Sequence, residues 1–255
     1  MAEKEFEEPN LQEEGTDEEI KGPSKRKGQK AKKSSKPSVM EMAESSPKFY
    51  LHSMLLIGGR ILNRMLDFYN SFFDLTHKDK AKIYRNIAMH YVNRGQAEKA
   101  VNHLKEWTRV EPSNTEAYYQ LGIALVAAEN YKSALGVFGK VLKMDPKHKG
   151  SLYRKSVLHV KLKAFSEAIE GFEQFLALHP DHAKAYYFLG IAYDRSDQLD
   201  KAVEAMKKAV ELDPHEVKHF QHLGFLYERM GDHKEAARCF SKVMELEQEH
   251  EDEEE

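Results

Sequence analysis

Cysteine is almost missing from the chain. Cys239 stands alone among 255 residues, so no intramolecular disulfide can form, which fits a reducing, cytosol-facing setting. A membrane-spanning run is missing too. The greasiest segment, residues 49–75, has only eleven uncharged residues between Lys48 and Arg60, whereas a spanning helix needs roughly 20. The first ten residues, MAEKEFEEPN, are acidic and lack the apolar stretch of a secretory signal, so none is expected. Net charge is only −3, yet this balance hides strong blocks. Residues 1–20 hold nine acids and one base, residues 21–40 eight bases and no acid, and residues 245–255 eight acids. Such blocks are usually solvated tails that serve interactions. No Gly-rich phosphate loop, no Ser/His/Asp order and no paired-carboxylate cleft can be argued. Catalytic, cofactor-binding and metal-binding residues are therefore all expected to be none.

What the chain does have is repetition. AYYQLGIALVAAENYKSALGVFGKVLKMDP at residues 117–146 aligns without gaps on AYYFLGIAYDRSDQLDKAVEAMKKAVELDP at 185–214, an offset of 68, or twice 34. Halving that period gives five units, at 81–114, 115–148, 149–182, 183–216 and 217–248. The fourth position holds Tyr84, Tyr118, Leu152, Tyr186 and Phe220. The twentieth is alanine throughout: Ala100, Ala134, Ala168, Ala202 and Ala236. The twenty-fourth is Leu104, Phe138, Phe172, Met206 and Phe240, and proline closes four units at Pro112, Pro146, Pro180 and Pro214. Small residues at positions eight and twenty let two helices approach, large ones beside them fill the gap, and proline ends the second helix. Gly95 and Gly231 suit the turn between helices, where φ is positive. Asn130 and Asp232 read as N-caps of second helices, and residues 113–116, SNTE, as a capping box. The pattern resembles the tetratricopeptide repeat (TPR). The expected fold is all-α: an α-solenoid of helix-turn-helix repeats, hook-shaped, with a concave groove.

Two departures carry expectations. The third unit has Lys155 and Ser156 where Leu-Gly is usual, which predicts looser packing between its helices, and Trp107 and Phe175 replace a small residue at position twenty-seven. His215, His219 and His222 are spaced for one helix face, but nothing completes a metal site, and exposed helix histidines are expected.

Residues 47–80 make one further repeat length, a degenerate N-terminal helical pair. Ser46-Pro47 suits a helix start, and Gly58-Gly59 a break before a second helix over 60–75. That helix carries Ile61, Met65, Phe68, Tyr69, Phe72 and Phe73 on an apolar face wider than one neighbouring repeat would cover. Three readings are open: it caps the first repeat, it docks into another copy, or it lies on a membrane. Residues 1–46 form an acidic-then-basic tail, and residues 249–255 an acidic one.

Phe49-Tyr50-Leu51-His52, Met65-Leu66-Asp67, Tyr84-Arg85 and the stretch from Tyr227 to Ala236 together resemble the MamA family of magnetosome-associated TPR proteins. The likeness spans residues 49–247 and leaves the tail 1–46 outside it. It implies a self-assembling scaffold, not an enzyme, on the cytosolic face of the magnetosome membrane of magnetotactic bacteria. It also implies that the imperfect first pair inserts into the groove of the next molecule. The expected partners are the chain itself and other magnetosome proteins, with peripheral membrane contact helped by the basic tail and no nucleic acid.

TPR phasing places Arg85, Met89, Tyr119, Ile123, Val126, Tyr153, Val157, Tyr187, Ile191 and Arg195 on the concave groove. An amphipathic helix suits this mixture. The Lys/Asn pattern with which chaperone-binding TPR domains hold a peptide carboxylate is not present at positions five and nine. An adaptor binding a helical or extended peptide of another partner, without self-assembly, is the alternative function.

Overall fold

The computed structural model describes residues 76–254, all helical or in short turns; residues 1–75 lie outside it, and with them the expected tail and all but residues 76–80 of the expected degenerate pair, which instead cap and begin the first helix. Two compact units divide the described residues after Pro112. The first contains α1 (His77–Val92) and α2 (Ala97–Val110). The second contains α3 (Thr115–Ala127), α4 (Tyr131–Met144), α5 (Lys149–Lys161), α6 (Phe165–Leu178), α7 (Ala183–Arg195), α8 (Leu199–Leu212), α9 (Val217–Met230) and α10 (His233–Glu254). Four of the five helix pairs start at the residue the repeat phasing predicts, and no strand occurs among the described residues. The fold is an all-α TPR array.

In the first unit, Thr76 and Asp79 make a capping box: Asp79 N–H donates to Thr76 Oγ1 at 3.2 Å, and Thr76 N–H to Asp79 Oδ2 at 3.1 Å. Ala88 on α1 and Ala100 and Leu104 on α2 are fully buried, and Trp107 is buried with its Nε1–H donating to Glu111 at 2.9 Å. The box expected at residues 113–116 does not form. Asn114 alone caps α3, accepting from Ala117 N–H at 3.1 Å, because the third helical position is an alanine with no side chain to reach back.

All five hairpins turn through one residue in the left-handed region: Gly95 (φ 67°), Glu129 (56°), Lys163 (59°), Asp197 (59°) and Gly231 (79°). The next N–H then reaches back to a carbonyl of the preceding helix, as in Asn130 to Leu125 at 2.8 Å and Ala164 to His159 at 2.8 Å. Glycine takes this conformation without a Cβ penalty, whereas Glu129, Lys163 and Asp197 do not. Lys163 is exposed. Lys163→Gly is therefore expected to stabilise the chain by about 0.5–1 kcal/mol, raising the thermal midpoint by about 1–4 °C in a scan followed by circular dichroism. A lower midpoint would mean that the side chain is held by a contact worth more than the strain.

Within three of the four hairpins of the second unit, a glycine on the first helix faces a bulky residue on the second. A Cβ on Gly122 would lie 2.5 Å from the Phe138 ring, one on Gly190 2.9 Å from Met206 Cε, and one on Gly224 2.8 Å from the Phe240 ring. The third hairpin reverses the arrangement. Ser156 occupies the glycine position, and room for it comes from Gly171 on the opposite helix, where a Cβ would collide with Ser156 Oγ. Ser156 is 1% exposed and its hydroxyl donates to Leu152 O at 2.9 Å, while Phe172 and Phe175 are fully buried. The looser packing expected there is corrected: the small residue has moved to the facing helix. α10 runs through residue 248, where the fifth unit is expected to end. Its Cys239 is a packed thiol, pushed up in pKa by burial.

Candidate protein-binding face

The first helices of the second unit, α3, α5, α7 and α9, present their groove positions to one another along a row. Consecutive pairs are locked by tyrosines at position five. The Tyr119 ring sits 4.7 Å from His148, lies over Gly150 and accepts a hydrogen bond at its hydroxyl from Arg154 Nε at 3.3 Å. Tyr153 packs on His182 (5.0 Å) and Phe175 (5.4 Å), and Tyr187 on His219 (5.2 Å) and His222 (5.1 Å). His148 and His182 are also N-caps: their Nδ1 atoms accept from Ser151 N–H at 3.2 Å and Ala185 N–H at 3.1 Å. The sequence reading missed these caps, although Asn114, His148, His182 and Glu216 recur every 34 residues. Histidine is not among the usual capping residues, so only the repeat spacing could have shown them. His215 is exposed, as expected, but His219 is 2% exposed and His222 half-buried; the expectation is corrected for these two, because both rings pack against Tyr187. No group of three metal-ligating side chains occurs among the described residues.

The predicted groove residues therefore separate by accessibility. Val126, Tyr153, Val157 and Ile191 are buried, at 7%, 5%, 1% and 1% exposure, and support the face from beneath. Tyr119, Ile123 and Tyr187 are half-buried, and Arg195 is exposed. In the first unit, Arg85 is exposed on α1 and Met89 half-buried. Ile61, Met65, Phe68, Tyr69, Phe72 and Phe73 lie outside the described residues.

Between α7 and α9 the face opens into a cleft of about 30 Å³, floored by Ile191, Met206 and Leu226 and rimmed by Asp194, His222, Phe225 and Arg229. That volume takes the tip of one side chain, far below the roughly 300–1,000 Å³ of small-molecule pockets. Arg229 bridges the helices, donating to Asp194 and, at 3.2 Å, to Asp197 Oδ1. Phe225 is 41% exposed, its ring 5.3 Å from Phe240. Arg229 is exposed beside it, and Lys184, Arg195 and Lys218 are exposed elsewhere on α7 and α9.

The profile of the tetratricopeptide repeat matches residues 85–149, 119–172 and 153–217, and a second profile of the same repeat matches 220–250. Among solved structures, the chain is 50% identical to MamA residues 41-end from Desulfovibrio magneticus RS-1, over 67% of this chain and 97% of that one, with a TM-score of 0.66. A double mutant of MamA RS-1 gives 49% identity over 68% and 97%, with a TM-score of 0.67. YrrB, a TPR protein with an unusual peptide-binding site, shares the fold at 23% identity over 67% and 88%, with a TM-score of 0.59. No curated protein sequence matches.

Proposed function

From a chain that belongs to the tetratricopeptide-repeat family, and within it to the MamA proteins, we propose a scaffold that assembles with copies of itself on the cytosolic side of the magnetosome membrane and recruits other proteins there. A TPR protein–protein interaction scaffold is the coarse reading, common to the family. The finer reading has the degenerate pair at residues 47–80 entering the concave face of a neighbour. The observation that carries it is the inner face itself, where half-buried Tyr119, Ile123 and Tyr187 lead to exposed Phe225 and a cleft sized for one side chain. Such a surface suits an amphipathic helix. Phe68, Tyr69, Phe72 and Phe73 supply aromatic residues of the type that anchor interfaces. Docking one part of the chain onto a different part of the next is a heterologous contact, which builds rings or open polymers. Membrane contact is peripheral in this reading: no helix among the described residues is long and apolar enough to cross a membrane, and the basic block at 21–40 would meet anionic lipid.

Light scattering of the full chain beside a chain lacking residues 1–75, and beside Phe68→Asp/Phe72→Asp, tests the assembly. The full chain is expected to run as a multimer and both variants as monomers. Burying each such ring contributes about 1.5–3 kcal/mol, so two charges there lower the association constant by at least about 100-fold. A full chain that stays monomeric at high concentration would overturn self-assembly and leave a peptide-binding adaptor. Tyr119 and Tyr153 are poor probes of the face, since both rings also hold successive repeats together.

A further inference from the structure

One outer helix face departs from its equivalents. On α4, Lys132, Gly136, Gly139, Lys140 and Lys143 share one side at helical spacing, and Lys147 follows in the turn to α5. The same positions hold at least one acid in every other second helix: Glu98 and Glu106 on α2, Glu170 and Glu173 on α6, Asp200, Glu204 and Glu211 on α8, and Glu245 on α10. Glu129 and Glu167 bound the stretch in sequence, and between them the sole acid is Asp145, which accepts from Lys147 N–H at 3.1 Å. Lys140 is held over the Tyr118 ring. Lys132, Lys143 and Lys147 are exposed, and among the described residues no hydrogen bond, ion pair or ring contact engages their side chains. Gly136 and Gly139 serve no packing need: a Cβ on either would meet open space, although glycine in a helix costs about 1 kcal/mol relative to alanine. Lysines flanking a strip of bare backbone leave room for a second helix to lie close.

The opposite charge stands on α10. That helix continues past the repeat to Glu254, and residues 245–255 hold eight acids. Lys242 is the last lysine or arginine of the chain; it pairs with Glu245 at 2.7 Å and is also drawn by Glu249. Glu247 is exposed, and among the described residues no cation engages it. Acids at a helix C-terminus face the negative end of its dipole, so an incoming cation is favoured there. The lengths agree as well. At a rise of about 1.5 Å per residue, Lys132 to Lys143 spans about 16 Å and residues 245–254 about 14 Å. α10 packs on α9, three hairpins along the chain from α4, so the α4 it meets belongs to another copy.

We propose that the acidic end of α10 in one copy docks on the outer face of α4 in a second copy, meeting Lys132, Lys143 and Lys147, with Gly136 and Gly139 letting the two helices approach. This contact goes beyond the docking of residues 47–80 and does not depend on it. The nine acids of residues 3–19 suit the strip less well, because Pro9 and Gly15 are poor helix residues, whereas α10 is already a helix and binds without a cost of ordering. Exposed ion pairs are individually weak. Several on one face give register and partner choice, and beside a second contact they add avidity.

Carbodiimide crosslinking of mixed ¹⁴N- and ¹⁵N-labelled full chains, read by mass spectrometry, tests the contact, because it joins lysines to carboxylates that touch and marks pairs between copies. Hybrid crosslinks from Lys132, Lys143 or Lys147 to residues 247–255 are expected, falling as salt is raised. Lys132→Glu/Lys143→Glu keeps Lys147 as a reporter and should lower its yield about fivefold to tenfold. Glu247→Lys/Glu249→Lys should act similarly, and mixing the two variants should restore hybrid crosslinks with the signs exchanged. Gly136→Gln puts a side chain into the strip. It should lower the yield severalfold while raising the thermal midpoint by about 1–4 °C, which separates a blocked contact from a damaged fold. Lys132, Lys143 and Lys147 joined mainly to residues 3–19 would overturn the proposal. So would residues 247–255 joined mainly to the block 21–40, or crosslinks mainly within one chain. The hybrid crosslinks are expected to persist in Phe68→Asp/Phe72→Asp at high protein concentration, so a failure of assembly through residues 47–80 is read separately. Their loss in that variant would overturn this contact as an independent one.

Discussion

Replacing Gly122 with alanine should destabilise the chain by about 2 kcal/mol, and adding Phe138→Leu should remove about half of that cost. The new Cβ would lie 2.5–2.9 Å from three carbons of a ring that is fully buried. The ring has nowhere to go, so the overpacking cost falls near the top of the usual range, about 3 kcal/mol. Alanine recovers about 1 kcal/mol through its better helix propensity. The first unit contains the compensated pair already: Ala88 packs in a hairpin whose twenty-fourth position is Leu104, and both are fully buried. Gly122→Ala/Phe138→Leu copies that pair. Urea unfolding of the four proteins gives the cycle; Phe138→Leu alone is expected to cost about 1 kcal/mol, and the coupling should be about 2 kcal/mol. Additive costs would mean that the two residues do not share space.

The same comparison shows which parts of the fold were legible in the sequence. The helix starts at Thr115, Lys149, Ala183 and Val217 followed from the period, because one set of packing positions recurs in every unit. The left-handed residues were legible only at Gly95 and Gly231. At Glu129, Lys163 and Asp197 the hairpin geometry imposes a conformation that the residue type does not announce. The Ser156/Gly171 exchange was missed because space in a helix pair is shared, so a large residue on one helix reads as a defect until its partner is known.

Exposure on the binding face was the least legible property. Position nine holds Val157, Ile191 and Phe225 in successive units, and phase alone assigns them all to the groove. Val157 and Ile191 are 1% exposed, while Phe225 is 41% exposed. The difference comes from order along the array: Ile191 has α9 beside it, whereas α9 belongs to the last helix pair of the array. A sequence period reports what each position does in an interior unit and not what happens at an end. The accessible apolar part of the face is thus concentrated in the last described helix pair, at Phe225 with Arg229 beside it.

Acid should destabilise the array through its interior histidines. His103, His159, His219 and His222 all have lowered pKa values, in each case chiefly through burial, with Lys155 adding to the effect at His159. Around the α9 pair, Asp213, Glu216 and Asp194 favour protonation, and Arg195 and the neighbouring histidine oppose it, but burial dominates. A histidine with a lowered pKa in the folded state binds fewer protons there than in the unfolded chain. Its contribution is fully present above the unfolded value of about 6.5 and is lost as pH falls through that value toward the folded one. Each such group adds to the dependence of stability on pH across that window, and the four act in the same direction. The thermal midpoint is expected to stay level from about pH 8 to 6.5 and then drop steeply. His219→Phe keeps an aromatic ring against Tyr187, 5.2 Å away in the native pair, and removes one titrating group. That variant should flatten the fall below about pH 6.5 while leaving the neutral-pH midpoint within a few degrees. An unchanged slope would show that His219 takes up its proton without opening the α7–α9 seam, and would place the acid sensitivity elsewhere in the array.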